Sequence, residues 1–145
     1  MSALIFDRTL HRIGLVRKLH RELELTGVWA AHNNVDSTSN GTWPQGMYKW
    51  SHYKAHPEEG LFPAAAHDRY GGMGIHVFTV PGRPGIGVHC GRTFGGDDAL
   101  GGVTMGCIRV TPHAMRIINA CHAEDRLMGI WVSNDLVLTQ DSISV

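Results

Sequence analysis

Three cysteines, Cys90, Cys107 and Cys121, carry the most reactive side chains of this 145-residue sequence. An odd number cannot close a complete set of intrachain disulfides, so at least one thiol is free. A thiol reacts as the thiolate, which needs a cation, a helix N-terminus or a histidine beside it. Cys107 has two of these close by in sequence. It lies in Thr104-Met105-Gly106-Cys107-Ile108-Arg109, with Thr111-Pro112 just beyond. Thr as N-cap with Pro at the first helical position marks a helix start. Gly106 lets the chain turn so that amide N–H groups face an oxyanion as it develops. Together these features make Cys107 the candidate for a reactive thiol. His89, directly followed by Cys90, is the candidate base or else merely caps a strand edge, and His76 is a second candidate or a neighbour that shapes the pocket. Cys121 has apolar neighbours and is expected to be a small buried hydrophobe.

The elements that must position these residues follow from pattern. Residues 74–80 are β-branched and aromatic, 81–85 form a turn, and 86–89 return, a hairpin that would hold His89 at a strand end. Of the 18 glycines, 12 fall within residues 71–106, where the chain must turn tightly or approach another group closely. That stretch would bring Cys107 back beside His89. A helix is expected over 112–124, with Met115, Ile118 and Cys121 or His122 on one face. Residues 3–7, 13–16 and 22–29 fit half-buried strands, with Leu23, Leu25 and Val28 in the core. One helix over 10–25, through Ile13, Val16, Leu19 and Leu23, is the alternative; strands are preferred. Residues 32–46 read as a loop, 47–53 as a strand and 54–70 as irregular. Strands at 129–132 and 136–138 are expected around an Asn134-Asp135 turn. The expected fold class is mainly β, a sandwich or barrel with one helix after Cys107, in a single domain over 1–145.

Composition narrows the function classes. Lys and Arg number 13 against 13 Asp and Glu, and charged residues are 18% of the chain. Nothing there neutralises a phosphate backbone, so no nucleic-acid partner is expected. At 43% apolar the chain can bury a core, which excludes wholesale disorder. The apolar run after Ser2 ends at Asp7, well short of the roughly 7–15 residues of a secretory signal. No window approaches the roughly 18–20 apolar residues of a membrane span. The expectation is therefore no membrane span and no classical export signal. Work outside the cytoplasm would need another route, or removal of a leader. No cofactor is expected. The 10 histidines invite a metal site built from His76, His89 and Cys107 or His67. No His-Glu-x-x-His or Cys-x-x-Cys box accompanies them, and no metal is expected. His11, His20, His32, His52, His56, His113 and His122 read as surface or packing residues. Trp29, Trp43, Trp50 and Trp131 read as core, with Trp43 and Tyr48 able to line a groove beside Gly46.

One pattern resembles a known family. His89-Cys90-Gly91 followed by Thr104-Met105-Gly106-Cys107-Ile108-Arg109 resembles the signature of the L,D-transpeptidase catalytic domain (YkuD-type). That signature is a His–Gly-type dipeptide, a Gly-containing loop, then Ser/Thr-x-Gly-Cys-hydrophobic-Arg/Asn. Upstream, Thr42-Trp43-Pro44-Gln45-Gly46-Met47-Tyr48 is similar to the family's Thr-Pro-x-Gly-x-Phe/Tyr segment, with one residue inserted before the proline. The resemblance spans residues 3–139 and implies an L,D-transpeptidase-like fold. It implies Cys107 as the nucleophile that forms a thioester and His89 as base and later acid. A backbone carbonyl of Cys90 or Gly91 would orient the imidazole, as an Asp does in other triads. Thr104 would support the site, and the N–H groups of Met105, Gly106 and Cys107 would form the oxyanion hole. Arg109 would bind a substrate carboxylate or brace the loop. The implied catalytic set is Cys107, His89, Arg109, Cys90, Thr104 and Gly106, with His76, Met105 and Tyr70 as substrate contacts. The implied substrate is a peptidoglycan stem peptide, cut after its L-centre and before a D-residue. Cross-linking, D-amino-acid exchange and L,D-carboxypeptidase or endopeptidase cleavage all fit.

The sequence departs from the family in places. Met105 stands where many members carry His, Tyr or Arg. Cys90 stands where Gly or Ser is common, and adds a second thiol near the site, either inert or able to pair with Cys107 on oxidation. Stand-alone domains of this kind without a signal resemble antibacterial effectors, with an immunity or secretion partner, or phage lysis proteins. Three rival readings remain: a metal-dependent hydrolase, a sortase-like transpeptidase, and a peptidoglycan-binding module that has lost its chemistry. The sortase pattern sets its Cys and Arg on adjacent strands, farther apart than Cys107 and Arg109.

Overall fold

The computed structural model describes residues 1–33, 41–55, 70–93, 96–102 and 104–134. The strands are β1 (Ser2–Asp7), β2 (Arg12–Leu19), β3 (Glu22–His32), β4 (Gly46–Lys54), β5 (Ile75–Phe78), β6 (Gly87–His89), β7 (Ile108–Val110) and β8 (Leu127–Ser133). They close into a barrel in the order β1-β2-β3-β7-β6-β5-β4-β8. A single helix among the described residues, α1 (Pro112–Glu124), joins β7 to β8. The fold is mainly β with one helix after Cys107, as expected. The strand expected at 136–138, Asp135, His56 and His67 lie outside the described residues. Among the described residues no helix is long and apolar enough to cross a membrane.

The N-terminal strands obey the period of two. Leu4 and Phe6 are fully buried while Ala3 and Ile5 are half-exposed. The alternative helix over 10–25 does not form, because the chain reverses inside it. Leu19 pairs with Glu22 across a two-residue connection, His20-Arg21, and both of those residues are left-handed (φ 50° and 71°). That backbone matches the twist of a tight hairpin, but it usually selects Asn or Gly. The burial expected of Leu23 is not observed: it is 58% exposed, whereas Leu25, on the same strand face, is 1% exposed. Leu23 sits one residue from the hairpin's end at Glu22, opposite Lys18. Val28 is half-buried.

The central hairpin and the helix form as the sequence indicates. β5 pairs antiparallel with β6, His76 opposite Val88. In α1, Thr111 accepts a hydrogen bond from Ala114 N–H at 3.1 Å and Pro112 opens the first turn. Ala114, Met115, Ile118 and Cys121 are buried and join Phe78, Val88, Ile108 and Val110 in one core. Burying a side chain such as Met115 or Ile118 contributes roughly 1.5–3 kcal/mol, which fixes the helix against the sheet that carries the candidate site.

Candidate active site

Strand register brings the candidate residues together. β6 and β7 are parallel, with Val88 opposite Ile108 and His89 opposite Arg109. Side chains alternate along a strand, so paired positions share a face. Val88 and Ile108 are fully buried in the core. His89 and Arg109 therefore lie on the other face, and Cys107 stands two residues before Arg109, just ahead of β7 and half-buried against the core. β3 adds a third member, since His32 pairs with Arg109 from the opposite side. The row across three strands reads His32, Arg109, His89.

His89 is buried, and its Nδ1 lies 2.6 Å from the backbone O of Cys90. A carbonyl only accepts, so Nδ1 carries the proton and Nε2 keeps its lone pair. The orienting carbonyl is that of Cys90; the Gly91 carbonyl is taken by Arg109 NH1, at 2.9 Å. Burial pushes His89 down to about 4, with Arg109, Arg92 and His32 acting in the same direction and the Cys90 carbonyl opposing. The Tyr70 ring packs on the imidazole, centroids 4.8 Å apart. Burial raises the Cys107 thiol, while a hydrogen bond from the Gly87 backbone and the charge of Arg109 lower it. Among the described residues no hydrogen bond joins Cys107 Sγ to His89. Such bonds are often long in unliganded sites.

Arg109 is 3% exposed. A Cβ on Gly101 would come within 2.4 Å of its NH1 and 2.5 Å of Gly91 O, so the backbone at Gly101 closes over the guanidinium. His32 Nε2 in turn lies 2.7 Å from Gly101 O. Arg109 and His32 thus tie the segments at Gly91 and Gly101 to the sheet. Burial lowers the pKa of His32, which keeps it neutral beside Arg109.

The turn before Cys107 is held from its carbonyl side. Asn33 Nδ2 donates to Gly106 O at 3.0 Å and to Cys107 O at 3.1 Å. Trp43 Nε1 donates to Gly106 O at 2.6 Å, and Thr104 Oγ1 donates to Cys107 O at 2.7 Å. Gly106 has φ +133°, open to glycine and strained for other residues. Its N–H donates to Thr104 Oγ1 at 3.1 Å. The expected three-amide oxyanion hole is therefore reduced, because the Gly106 N–H is engaged while those of Met105 and Cys107 stay outside this network.

Other expected site residues are placed differently. His76 does not join the site. It is fully buried on the core-facing side of β5, where Trp50 Nε1 donates to its Nδ1 at 3.2 Å and its Nε2 lies 2.7 Å from Asn119 Oδ1. Cys90 is fully buried, its Sγ 3.4 Å from Tyr70 O. Of the two roles the sequence leaves open for Cys90, inert thiol or disulfide partner of Cys107, register opposes the second. Cys107 is level with Gly87, and Cys90 lies three residues further along, about 10 Å at the strand rise. A disulfide requires Cα atoms within about 7 Å, and none of the three cysteines is in a disulfide. Met105 is 76% exposed at the turn. Trp43 is fully buried, edge-on to Tyr48, so it lines no groove. Among the described residues no group of three or more His, Cys, Asp or Glu is disposed to hold a metal ion. Sequence reasoning missed His32, Asn33 and Trp43. His32 is the last residue of β3 and Asn33 follows it, beyond the strand end expected at 29, and a buried tryptophan reads as packing alone.

No protein-family model matches the sequence, and no curated protein matches it. Solved structures share the fold. The structure of Bdellovibrio bacteriovorus Bd1075 superposes with a TM-score of 0.64 at 12% identity, covering 97% of this chain and 51% of that one. A fused Zn-dependent amidase/peptidase/peptidoglycan-binding domain-containing protein from Clostridium acetobutylicum ATCC 824 gives 0.52 at 13% identity, covering 91% and 51%. An L,D-transpeptidase from Mycobacterium smegmatis gives 0.46 at 16% identity, covering 91% and 58%. The chain thus spans about half the length of the solved structures it matches. At these identities the likeness is one of fold.

Proposed function

We propose that this chain is a cysteine enzyme of the cell wall that acts on peptidoglycan stem peptides through a thioester on Cys107. The observation that carries the reading is the β6–β7 register, which sets His89 opposite Arg109, two residues after Cys107. It is supported by the Thr104–Arg109 motif and by a fold neighbour whose name includes amidase/peptidase and peptidoglycan-binding functions.

In the proposed reaction Cys107 Sγ bonds to the peptide carbonyl carbon as its proton passes to His89 Nε2. The carbonyl oxygen takes the negative charge and meets the N–H groups of Cys107 and Met105. The C–N bond then breaks, and the departing amine of the D-residue takes the proton from His89. Water or an acceptor amine attacks the thioester, gives its proton to His89, and the thiol is restored. Arg109 braces the segment after His89 and keeps the imidazole uncharged. Tyr70 beside His89 and Met105 at the turn offer contacts to the stem peptide. The substrate places this work at the cell wall.

The test is mass spectrometry of disaccharide tetrapeptides after incubation. Loss of the terminal D-Ala identifies a carboxypeptidase; D-amino-acid exchange or dimers identify a transferase. Unchanged substrate, with the protein retained on sacculi, would favour the binding-module reading, for which the missing Cys107–His89 hydrogen bond speaks.

A further inference from the structure

We propose that Asn33 and Trp43 are positioning residues for Cys107, which set the peptide planes of the nucleophile turn and so tune the thiol. The inference rests on Cys107 being the reactive group. Asn33 is 4% exposed and Trp43 fully buried, yet each spends its polar hydrogens on the same short turn. The Asn33 amide bridges the carbonyls of Gly106 and Cys107, and its Oδ1 accepts from Trp43 N–H at 2.7 Å. Trp43 Nε1 meets Asn33 Nδ2 at the Gly106 carbonyl. Two residues from separate segments, locked to each other, thus hold both oxygens of the turn on one side.

A peptide plane with its oxygen fixed has its N–H direction fixed too. The Gly106 carbonyl belongs to the peptide that carries the Cys107 N–H, so holding that oxygen aims this N–H away from Asn33 and Trp43. Releasing the clamp lets carbonyl dipoles turn toward the sulfur, and these raise the thiol pKa where amide hydrogens would lower it. Packing alone does not require this arrangement: a phenylalanine would fill most of the Trp43 site, and it could not donate.

The experiment is the pH dependence of iodoacetamide alkylation at Cys107, mapped by peptide mass spectrometry, in the parent, Asn33→Ala and Trp43→Phe. Folded variants, checked by circular dichroism, are expected to alkylate about tenfold more slowly at pH 8, with the midpoint moved about one unit alkaline. On stem peptides kcat is expected to fall about tenfold or more, with KM within about threefold. Parental rate and midpoint in both folded variants would overturn the proposal and leave a purely structural role. If Asn33→Ala fails to fold, Trp43→Phe decides by the same readout. Alkylation needs no stem-peptide turnover, so it answers even where Cys107→Ala remains active and the catalytic reading fails.

Discussion

His89 and Arg109 stand opposite one another across the parallel β6–β7 ladder, with the imidazole Nδ1 on the Cys90 carbonyl and the guanidinium on the Gly91 carbonyl. Two consecutive carbonyls after β6 are thereby tied, one to the base itself and one to a cation that stays protonated. Burial and that cation both disfavour imidazolium, so the base is neutral in the resting site. In the proposed mechanism Cys107 and His89 start as a neutral thiol and a neutral imidazole, and proton transfer waits for substrate.

The pH profile follows from that pair. With His89 held at about 4, the acid limb of kcat/KM is expected near pH 4 instead of near the ordinary histidine value. Arg109→Gln removes the nearby charge and moves this limb upward while lowering kcat about tenfold or more. Steady-state turnover of stem peptides between pH 3.5 and 8 measures both. A limb near 6.5 in the parent, unmoved by the substitution, would contradict the assigned role of Arg109.

His76 governs acid stability instead. Both its ring nitrogens are used in the neutral tautomer, and burial holds it at about 4. Its folded pKa lies below the unfolded value near 6.5, so the unfolded chain binds more protons between those values. Stability is full above pH 6.5 and is lost as pH falls toward 4, by up to about 3 kcal/mol. His89 acts in the same direction. The His76→Gln substitution keeps an acceptor and a donor without the titration. It is expected to flatten the melting-temperature loss while leaving kcat within about twofold, as calorimetry and turnover assays will register.

Oxidation tests the register directly. Diamide treatment of the native protein is expected to leave Cys90 and Cys107 unlinked, and Cys90→Ala to keep activity within about threefold. Intact mass and non-reducing peptide maps read the outcome. A Cys90–Cys107 peptide from folded protein would contradict the strand pairing described above.

The legible parts of the sequence were those governed by local rules. Thr111-Pro112 marks the start of α1 because capping is a one-turn event, and Pro81–Gly85 marks a hairpin because those residues have few other conformations. The turn at His20-Arg21 was illegible because its left-handed residues are not the usual ones. His76 and His89 look alike along the chain. The one-residue difference in their alternation, once β5, β6 and β7 are paired, sends one to the helix side and the other to the Arg109 side. Likewise Asn33 meets Cys107 only through tertiary closure, across 74 positions in sequence.

The thioester itself is the most direct measurement. Intact-protein mass spectrometry of the enzyme quenched with a disaccharide tetrapeptide is expected to show an adduct equal to the donor less its leaving D-residue, mapped to Cys107. The adduct should be absent in Cys107→Ala, and His89→Ala should form it at least about a hundredfold more slowly, within the usual contribution of a general base. Undiminished stem-peptide turnover by Cys107→Ala, with no adduct on the parent enzyme, would contradict the account.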